Sequence, residues 1–265
     1  MVAVASYGNG QVYLYRINPD DTLSYLTNIA FASPNAVKLL GDRLYVSTEL
    51  GAFHIYDVSD INNPVSLGSI TGTGNGGKWF DIVGSHIYLA KDWSSDEFEI
   101  YDVSNPANIR NIGGYATGTM DFRNIKVSGK YAYSASYSNS AWHKGLMRFD
   151  ISDPKNVTYV TNYQDDYVVG FDIVGDVAYT INTAGTLRAL DISSTTMSLI
   201  GSASKTASGY STKLIARGNM IYVLGDNNYL QFINTWVVPI AKRFTRPPMP
   251  RIGLRPRLWI SVGID

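Results

Sequence analysis

The chain has 265 residues, enough for one large domain or two smaller ones, and 45% of them are hydrophobic. Nineteen Tyr, nine Phe and five Trp accompany many Val and Ile residues, a composition that suits β-strands. The formal net charge is zero and Cys is absent, which excludes a strongly basic nucleic-acid-binding protein, disulfides and thiolate metal sites.

Two short phrases recur along the chain. The first is a Gly, two residues and an apolar strand with Tyr, and it reads GDRLYVS from Gly41, GSHIYLA from Gly84, GKYAYSA from Gly129, GDVAYTI from Gly175 and GNMIYVL from Gly218. The second follows the first and reads HIYDVSD at Asp57, EIYDVSN at Asp102, MRFDISD at Asp150 and RALDISS at Asp191. LYRINPD at Arg16 and LQFINTW at Asn234 hold the same slot. Both phrases keep a period of about 44 residues, which predicts an internal repeat.

Each repeat divides into four predicted strands, named a, b, c and d in chain order. In the third repeat they cover 78–83, 86–90, 98–103 and 109–116. Gly84 permits a tight hairpin between strands a and b, and the repeated Asp after strand c forms a turn, which argues against a catalytic role for it. Four short strands in every repeat of this length are typical of a propeller blade. The sequence therefore predicts an all-β, six-bladed β-propeller of four-stranded blades.

The whole chain, 1–265, is predicted to be a single propeller domain. The six blades are assigned to 1–31 plus 257–265, 32–70, 71–116, 117–163, 164–203 and 204–256. Blade 1 lacks a strand a, because the chain begins with the strand b phrase VAVAS. RLWISV (257–262) precedes an in-period Gly263, so we expect the C-terminal strand to complete blade 1 and close the ring. The alternative is an incomplete or seven-bladed-type propeller with a disordered tail, because residues 236–257 hold five prolines.

The fourth repeat carries a family resemblance. FRNIKVSGKYAYSA (122–135) and GLMRFDISDPKNV (145–157) resemble the LVIVD-repeat family of bacterial and archaeal propellers, and the resemblance extends over roughly residues 35–235. It implies a cell-surface or exported protein, often as one domain of a larger chain, and it supplies no catalytic motif. We therefore expect an extracellular or cell-surface location, with a signal peptide absent from this chain.

Candidate binding residues cluster on the rim where the b–c and d–a loops of blades 3–5 meet. Loops held by a rigid scaffold commonly carry function, and Trp beside charged groups suits a glycan or peptide. The alternative for Trp93 and Trp142 is that they cover blade edges. The candidates are Lys78, Trp79, Trp93, Asp96, Arg123, Asn124, Trp142, His143, Asp165 and Asp166.

A second pattern lies on strand a, where the third residue before the turn glycine alternates in charge. It reads Lys38, Asp81, Lys126 and Asp172. Two interpretations stay open, a charged channel that binds a polar ligand and ion pairs between neighbouring blades. The alternation disfavours a Ca²⁺ site, and the spacing of the three His residues fits no zinc motif, so no metal or other cofactor is expected.

The favoured function is a non-catalytic binding or scaffold module that presents the rim of blades 3–5 to a protein or glycan. The alternative is a hydrolase or lyase at the top of the channel, using Lys78, Arg123, His143 and Asp165 or Asp166. A third possibility is a fragment of a larger surface protein. We expect no membrane span, no nucleic-acid partner despite six Lys or Arg in 236–265, and either a monomer or a domain of a larger surface protein.

Overall fold

The computed structural model describes residues 1–71, 77–91, 98–116, 118, 121–137, 144–204, 213–225, 230–234 and 263–264. Their strands form six sheets that are the blades of a β-propeller, which confirms the predicted fold class. The chain divides into two compact units, Met1–Val127 with Ile151–Val157 and Leu258–Asp265, and Ser128–Asp150 with Thr158–Arg257. The assignment of the whole chain to one domain stays a prediction.

The first unit holds blades 1–3. Blade 1 contains β1 (Val2–Ser6), β2 (Gln11–Ile17) and β3 (Leu23–Ala30). Blade 2 contains β4 (Pro34–Leu40), β5 (Arg43–Thr48), β6 (Phe53–Asp57) and β7 (Val65–Ile70). Blade 3 contains β8 (Gly77–Val83), β9 (His86–Lys91), β10 (Phe98–Asp102), the 3-10 turn η1 (Pro106–Asn108) and β11 (Arg110–Tyr115). The unit also includes most of β12 (Phe122–Ser128) and the 3-10 turn η2 (Pro154–Asn156).

The second unit holds strands b to d of blade 4 and the described parts of blades 5 and 6. Blade 4, in the order β12-β13-β14-β15, adds β13 (Tyr131–Tyr137), β14 (Lys144–Asp150) and β15 (Thr158–Tyr163). Blade 5 contains β16 (Val168–Val174), β17 (Val177–Asn182), β18 (Leu187–Asp191) and β19 (Ser198–Ala203). Blade 6 contains, among the described residues, β20 (Lys213–Arg217), β21 (Met220–Leu224) and β22 (Leu230–Asn234).

The C-terminus joins blade 1, as expected, but with a different pairing. β23 (Gly263–Ile264) lies beside β1 in a sheet of order β23-β1-β2-β3. The strands run parallel, with Ala5 opposite Gly263 and Ser6 opposite Ile264. We expected residues 257–262, which lie outside the described part, to pair in the manner of an a–b hairpin. No turn connects β23 to Met1, so no covalent link imposes the antiparallel direction that a hairpin requires.

Local turn chemistry explains why each repeat folds alike. The a–b turns begin with a glycine whose φ is between 58° and 60°, at Gly41, Gly84, Gly129, Gly175 and Gly218. A side chain at this first turn position would oppose the left-handed conformation, which glycine adopts freely. After strand c, the carboxylates of Asp57, Asp102 and Asp191 accept a hydrogen bond from the N–H of the Ser two residues later. The interpretation of these acids as turn-forming residues is therefore confirmed.

Neighbouring blades within each unit approach in two ways. In the first unit, strand d glycines contact the next blade's 3-10 turn so closely that a Cβ on Gly68 would lie 1.8 Å from the carbonyl oxygen of Pro106. In the second unit, the buried Arg148 guanidinium donates to the carbonyls of Ile192, at 2.7 Å, and Ser194. Its Cζ lies 5.1 Å and 5.2 Å from the ring centroids of two tyrosines, Tyr131 and Tyr133. The helical segments of the described chain are the single turns η1 and η2, and neither could span a bilayer.

Candidate functional site

The charged residues of strand a make contacts between blades. Lys38 Nζ lies 2.6 Å from Asp81 Oδ1, and Asp81 Oδ2 accepts a hydrogen bond from the N–H of Val127 at 2.8 Å. In the second unit, Asp172 Oδ2 accepts from the N–H of Ala216, also at 2.8 Å. Lys38 and Asp81 thus form an ion pair between neighbouring blades, and Arg217 Nη1 of blade 6 lies 3.6 Å from Asp172 Oδ2. These contacts favour the ion-pair interpretation over a ligand-binding channel for Lys38, Asp81 and Asp172.

The most fully described rim site is the d–a loop before blade 5, residues 164–167. Asp165 accepts hydrogen bonds from the Arg188 guanidinium, from Asn182 Nδ2 at 3.2 Å and from the N–H of Asp166 at 2.7 Å. Its side chain is only 3% exposed. Burial raises the pKa of the Asp165 carboxyl above its ordinary value, while Arg188 and Asn182 act in the opposite direction. The Asp165 carboxylate therefore anchors the loop to strands b and c of blade 5.

The anchored loop exposes the Asp166 side chain and holds Tyr167 in an uncommon backbone conformation. The Asp166 side chain is 79% exposed, and its Oδ1 lies 3.5 Å from Lys144 Nζ at the start of β14. The same ammonium lies 5.6 Å from the centre of the Tyr167 ring. Tyr167 has a φ of 41°, in the left-handed region, and its carbonyl accepts from the N–H of Thr183 in the b–c loop. A bulky residue in this conformation is uncommon and is often found at functional sites.

Blade 3 holds a different buried network at the corresponding end of its sheet. Lys91 Nζ lies 3.1 Å from Glu99 Oε2, and the Lys91 side chain is almost fully buried. Glu99 also accepts from the Tyr101 hydroxyl at 2.7 Å and from Asn111 Nδ2 at 3.3 Å. The network joins strands b, c and d, so it fixes the ends of the strands that flank the b–c loop.

A β-bulge shapes strand a at this end of the sheets. The ladder shifts between Pro34 and Ala36, between Gly77 and Trp79, and between Val168 and Gly170. The extra residues are Asn35, Lys78 and Val169, each six positions before the turn glycine. Bulges re-aim side chains and recur beside binding sites. Asn35 uses its position to contact Glu49 and the carbonyl oxygen of Gly77 in the next blade.

Two of the repeats match the model of a known repeat family. A model of the LVIVD repeat matches residues 81–117 and 121–165, in blades 3 and 4. The chain is a β-propeller with LVIVD repeats. No curated protein matches it.

Solved structures resemble this LVIVD-repeat propeller in fold. A computationally designed protein has a TM-score of 0.58 at 10% identity, and the alignment covers 86% of this chain and 66% of the designed one. A functionally unknown protein from Desulfotomaculum acetoxidans has a TM-score of 0.68 at 12% identity, with coverages of 88% and 78%. A candidate 6-phosphogluconolactonase from Bacteroides uniformis has a TM-score of 0.68 at 13% identity, with coverages of 84% and 74%. Identities this low show the fold alone.

The predicted site residues fall into three groups. Asp165 and Asp166 are adjacent on the blade 5 loop, but one is buried and the other exposed. Trp79, Arg123 and Asn124 are half-buried near the starts of β8 and β12, where Trp79 packs against the apolar cluster around Phe80. The others lie outside the described residues, apart from the main chain of Lys78; they are Trp93, Asp96, Trp142 and His143. Within the described ranges, no three His, Asp or Glu side chains lie close enough together to hold a metal ion.

The sequence analysis did not single out Glu99 and Arg188, the strand c residues that bind Lys91 in blade 3 and Asp165 in blade 5. Glu99 and Arg188 share one slot of strand c, three residues before the repeated Asp. Across the six repeats of the chain, the residue in that slot varies in chemistry; it reads Tyr13, His54, Glu99, Met147, Arg188 and Gln231. A position that varies within an otherwise regular repeat is the signal that could have found them. His54, predicted to pack within its strand, lies 5.2 Å from the Phe31 ring, and burial lowers its pKa.

Proposed function

We propose that this propeller is a non-catalytic binding module whose b–c and d–a loops in blades 3–5 contact a protein or a glycan. The observation that carries the proposal is the contrast between two adjacent acids, one buried and the other exposed. The Asp165 carboxylate is bonded to Arg188 and so anchors the blade 5 loop, while the Asp166 side chain extends into solvent beside Lys144. A loop held rigidly by buried bonds loses little entropy on binding, which favours recognition.

The surrounding chemistry also suits a binding surface. Tyr167 offers an aromatic ring and Asp166 an anion on the loop before blade 5, and Lys144 at the start of β14 places a cation close to both. Aromatic rings with adjacent polar groups are frequent in protein and glycan recognition. We also propose an extracellular or surface location, which rests on the resemblance of the repeats to exported propellers.

The alternative, a hydrolase or lyase, has one favourable observation, the raised pKa of Asp165. That carboxylate, however, has donors on both oxygens and a side chain that is 3% exposed. A general acid must reach the atom that it protonates. The candidate 6-phosphogluconolactonase shares the fold at 13% identity, which does not extend its activity to this chain.

The proposal is tested by screening the full chain on glycan and protein arrays and measuring the Kd of each hit. We expect Asp166→Asn, Lys144→Met and Trp142→Ala to weaken a specific hit by about tenfold each. The matched control is Asp176→Asn, the same substitution on an exposed turn at the opposite end of blade 5. Hits that the control weakens equally, hits that the rim variants leave unchanged, or arrays without a reproducible hit would each contradict the proposal.

A further inference from the structure

Blade 1 carries an exposed group of tyrosines on one face of strands c and d. Tyr13 and Tyr15 alternate along β2 with the buried Val12 and Leu14, so the two tyrosines lie on the opposite face of the sheet. Tyr15 pairs across the ladder with Tyr25 of β3. The Tyr25 ring centroid lies 6.5 Å from that of Tyr13 and 6.0 Å from that of Tyr15, and Tyr25 remains 55% exposed. The three rings form one surface, here named the tyrosine face.

The shared structure of the blades does not account for two of these rings. The position of Tyr15, one residue before the repeated slot, is aromatic in the next three blades as well, at Tyr56, Tyr101 and Phe149. The position of Tyr13 holds no other tyrosine in blades 2–5, where the residues are His54, Glu99, Met147 and Arg188. The position of Tyr25 corresponds in blades 2–5 to Ser66, Asn111, Tyr159 and Leu199. Among blades 1–5, the full set of three tyrosines therefore occurs in blade 1 alone.

The polar groups beside the rings are amides and hydroxyls without charge. The Tyr25 hydroxyl donates to Asn28 Oδ1, and Asn28 Nδ2 donates to Gln11 Oε1. These bonds hold the Tyr25 ring in one position, which reduces the entropy that it loses when a ligand binds. Arg16 is the one charged residue of β2 and β3, and strand alternation places its side chain on the opposite face. The tyrosine face is therefore aromatic and neutral.

We propose that the tyrosine face binds a neutral oligosaccharide, with a sugar ring stacked on Tyr25 and the amides of Asn28 and Gln11 beside its hydroxyls. A pyranose has an apolar C–H face and a border of hydroxyl groups, so it matches an aromatic ring bordered by amides, which both donate and accept hydrogen bonds. An acidic or sulfated sugar is disfavoured, because the face formed by β2 and β3 presents no Lys or Arg to pair with its charge. The site lies on blade 1 and is independent of the proposed rim function in blades 3–5.

A protein partner fits the tyrosine face less well than a sugar does. Specific protein interfaces engage about 20–30 residues on each side. The tyrosine face is formed by two strands, and its exposed aliphatic side chains are Ile17 and Leu23, which are 39% and 54% exposed. A short oligosaccharide needs only a few fixed side chains, because tyrosine offers a large contact area with few rotatable bonds. The size of the face thus favours a sugar as its occupant.

Affinity electrophoresis of the full chain tests the proposal, in gels that contain hydroxyethylcellulose, glucomannan, galactomannan or dextran. The dependence of retardation on polysaccharide concentration gives a Kd. We expect at least one of these neutral polymers to retard the chain and polygalacturonate to leave its mobility unchanged. Tyr25→Ala should raise the Kd by about tenfold or more, because it removes the ring that stacks on the sugar.

Two further variants separate the ring of Tyr25 from its hydroxyl and from folding. Tyr25→Phe keeps the ring but loses the hydrogen bond to Asn28, and we expect it to raise the Kd by less than about threefold. Tyr25→Trp enlarges the ring and should bind at least as tightly as the wild type, a result that misfolding cannot produce.

The matched control is Tyr159→Ala on strand d of blade 4. Tyr159 also donates to an asparagine, Asn162, and its ring lies 6.0 Å from that of Phe149, but Met147 takes the place of the second tyrosine. We therefore expect Tyr159→Ala to bind the polysaccharide as the wild type does. Asp166→Asn reports separately on the rim, since a polysaccharide held there would depend on Asp166 and not on Tyr25.

Four results would overturn the proposal. They are mobility unchanged by all four neutral polymers, equal retardation by polygalacturonate, a Kd that Tyr25→Ala leaves unchanged or that Tyr159→Ala raises equally, and retardation that depends on Asp166 instead of Tyr25. A Tyr25→Trp variant that binds as weakly as Tyr25→Ala would do the same.

Discussion

Asp172 of blade 5 accepts a hydrogen bond at 2.8 Å from the main-chain N–H of Ala216, which lies in strand a of blade 6. Asp81 of blade 3 makes the same contact with Val127 of blade 4. Both acids lie three residues before a turn glycine, and both amides lie two residues before the next one. In both blades, the aspartate of strand a therefore links that strand to strand a of the next blade.

Removing this link should destabilise the fold. Asp172→Ala leaves the buried N–H of Ala216 without its acceptor, and we expect it to lower the free energy of unfolding by about 1–3 kcal/mol. Asp172→Asn should cost less, because the amide oxygen can still accept. Urea denaturation measures both, with Asp176→Ala on an exposed turn as the control. Equal effects for the Ala variants of Asp172 and Asp176 would show that the inter-blade bond contributes nothing.

The close approach at Gly68 predicts a steric effect. Gly68→Ala places a Cβ 1.8 Å from the carbonyl oxygen of Pro106, so the adjoining blades must shift. We expect a loss of about 1–3 kcal/mol or more, seen as a lower Tm. Gly8→Ala is the control, because a Cβ at Gly8 meets nothing within 4 Å. Equal Tm values for the two variants would show that the space between strand d and the 3-10 turn can accept a Cβ, which would contradict the close contact.

The adjacent acids of the blade 5 loop should behave differently. Asp165→Ala leaves the Arg188 guanidinium and Asn182 without their acceptor, and we expect it to cost about 2 kcal/mol of stability. Asp166→Ala removes an exposed carboxylate and should change stability by less than about 0.5 kcal/mol. Denaturant titration of both variants makes the comparison. A larger effect at Asp166 would reverse the roles that we assign to the two residues.

The pH dependence of stability should contain a contribution from Asp102. The hydrogen bond from the N–H of Ser104, together with the Ser104 side chain and Arg110, lowers the pKa of Asp102 from 3.8 to about 2. Because the folded pKa lies below the unfolded one, the contribution is present above about pH 4 and is lost as the pH falls towards 2. The stability difference between the wild type and Asp102→Asn should therefore shrink between pH 5 and pH 2. A constant difference over that range would contradict the assignment.

The repeat could be predicted from the sequence because its turns are local. Gly41 and Asp57 specify an a–b hairpin and a c–d turn through their own backbone and side-chain chemistry, and the same residues recur in later blades. The direction of β23 could not be predicted in this way, because no turn joins it to its partner. Nor could the loop NYQDD reveal which acid is buried, because Asn182 and Arg188 lie 17 and 23 residues beyond Asp165.

Arg148 makes the contact between blades 4 and 5 unlike the contacts made from the same position of other strands c. Its guanidinium donates to the carbonyls of Ile192 and Ser194, whereas blades 1, 2, 3 and 5 hold aliphatic side chains there, at Leu14, Ile55, Ile100 and Ala189. A buried guanidinium that lost those acceptors would be destabilised by several kcal/mol. Because hydrogen bonds are directional and apolar contacts are not, the relative position of these two blades is held more tightly than an aliphatic contact alone would hold it.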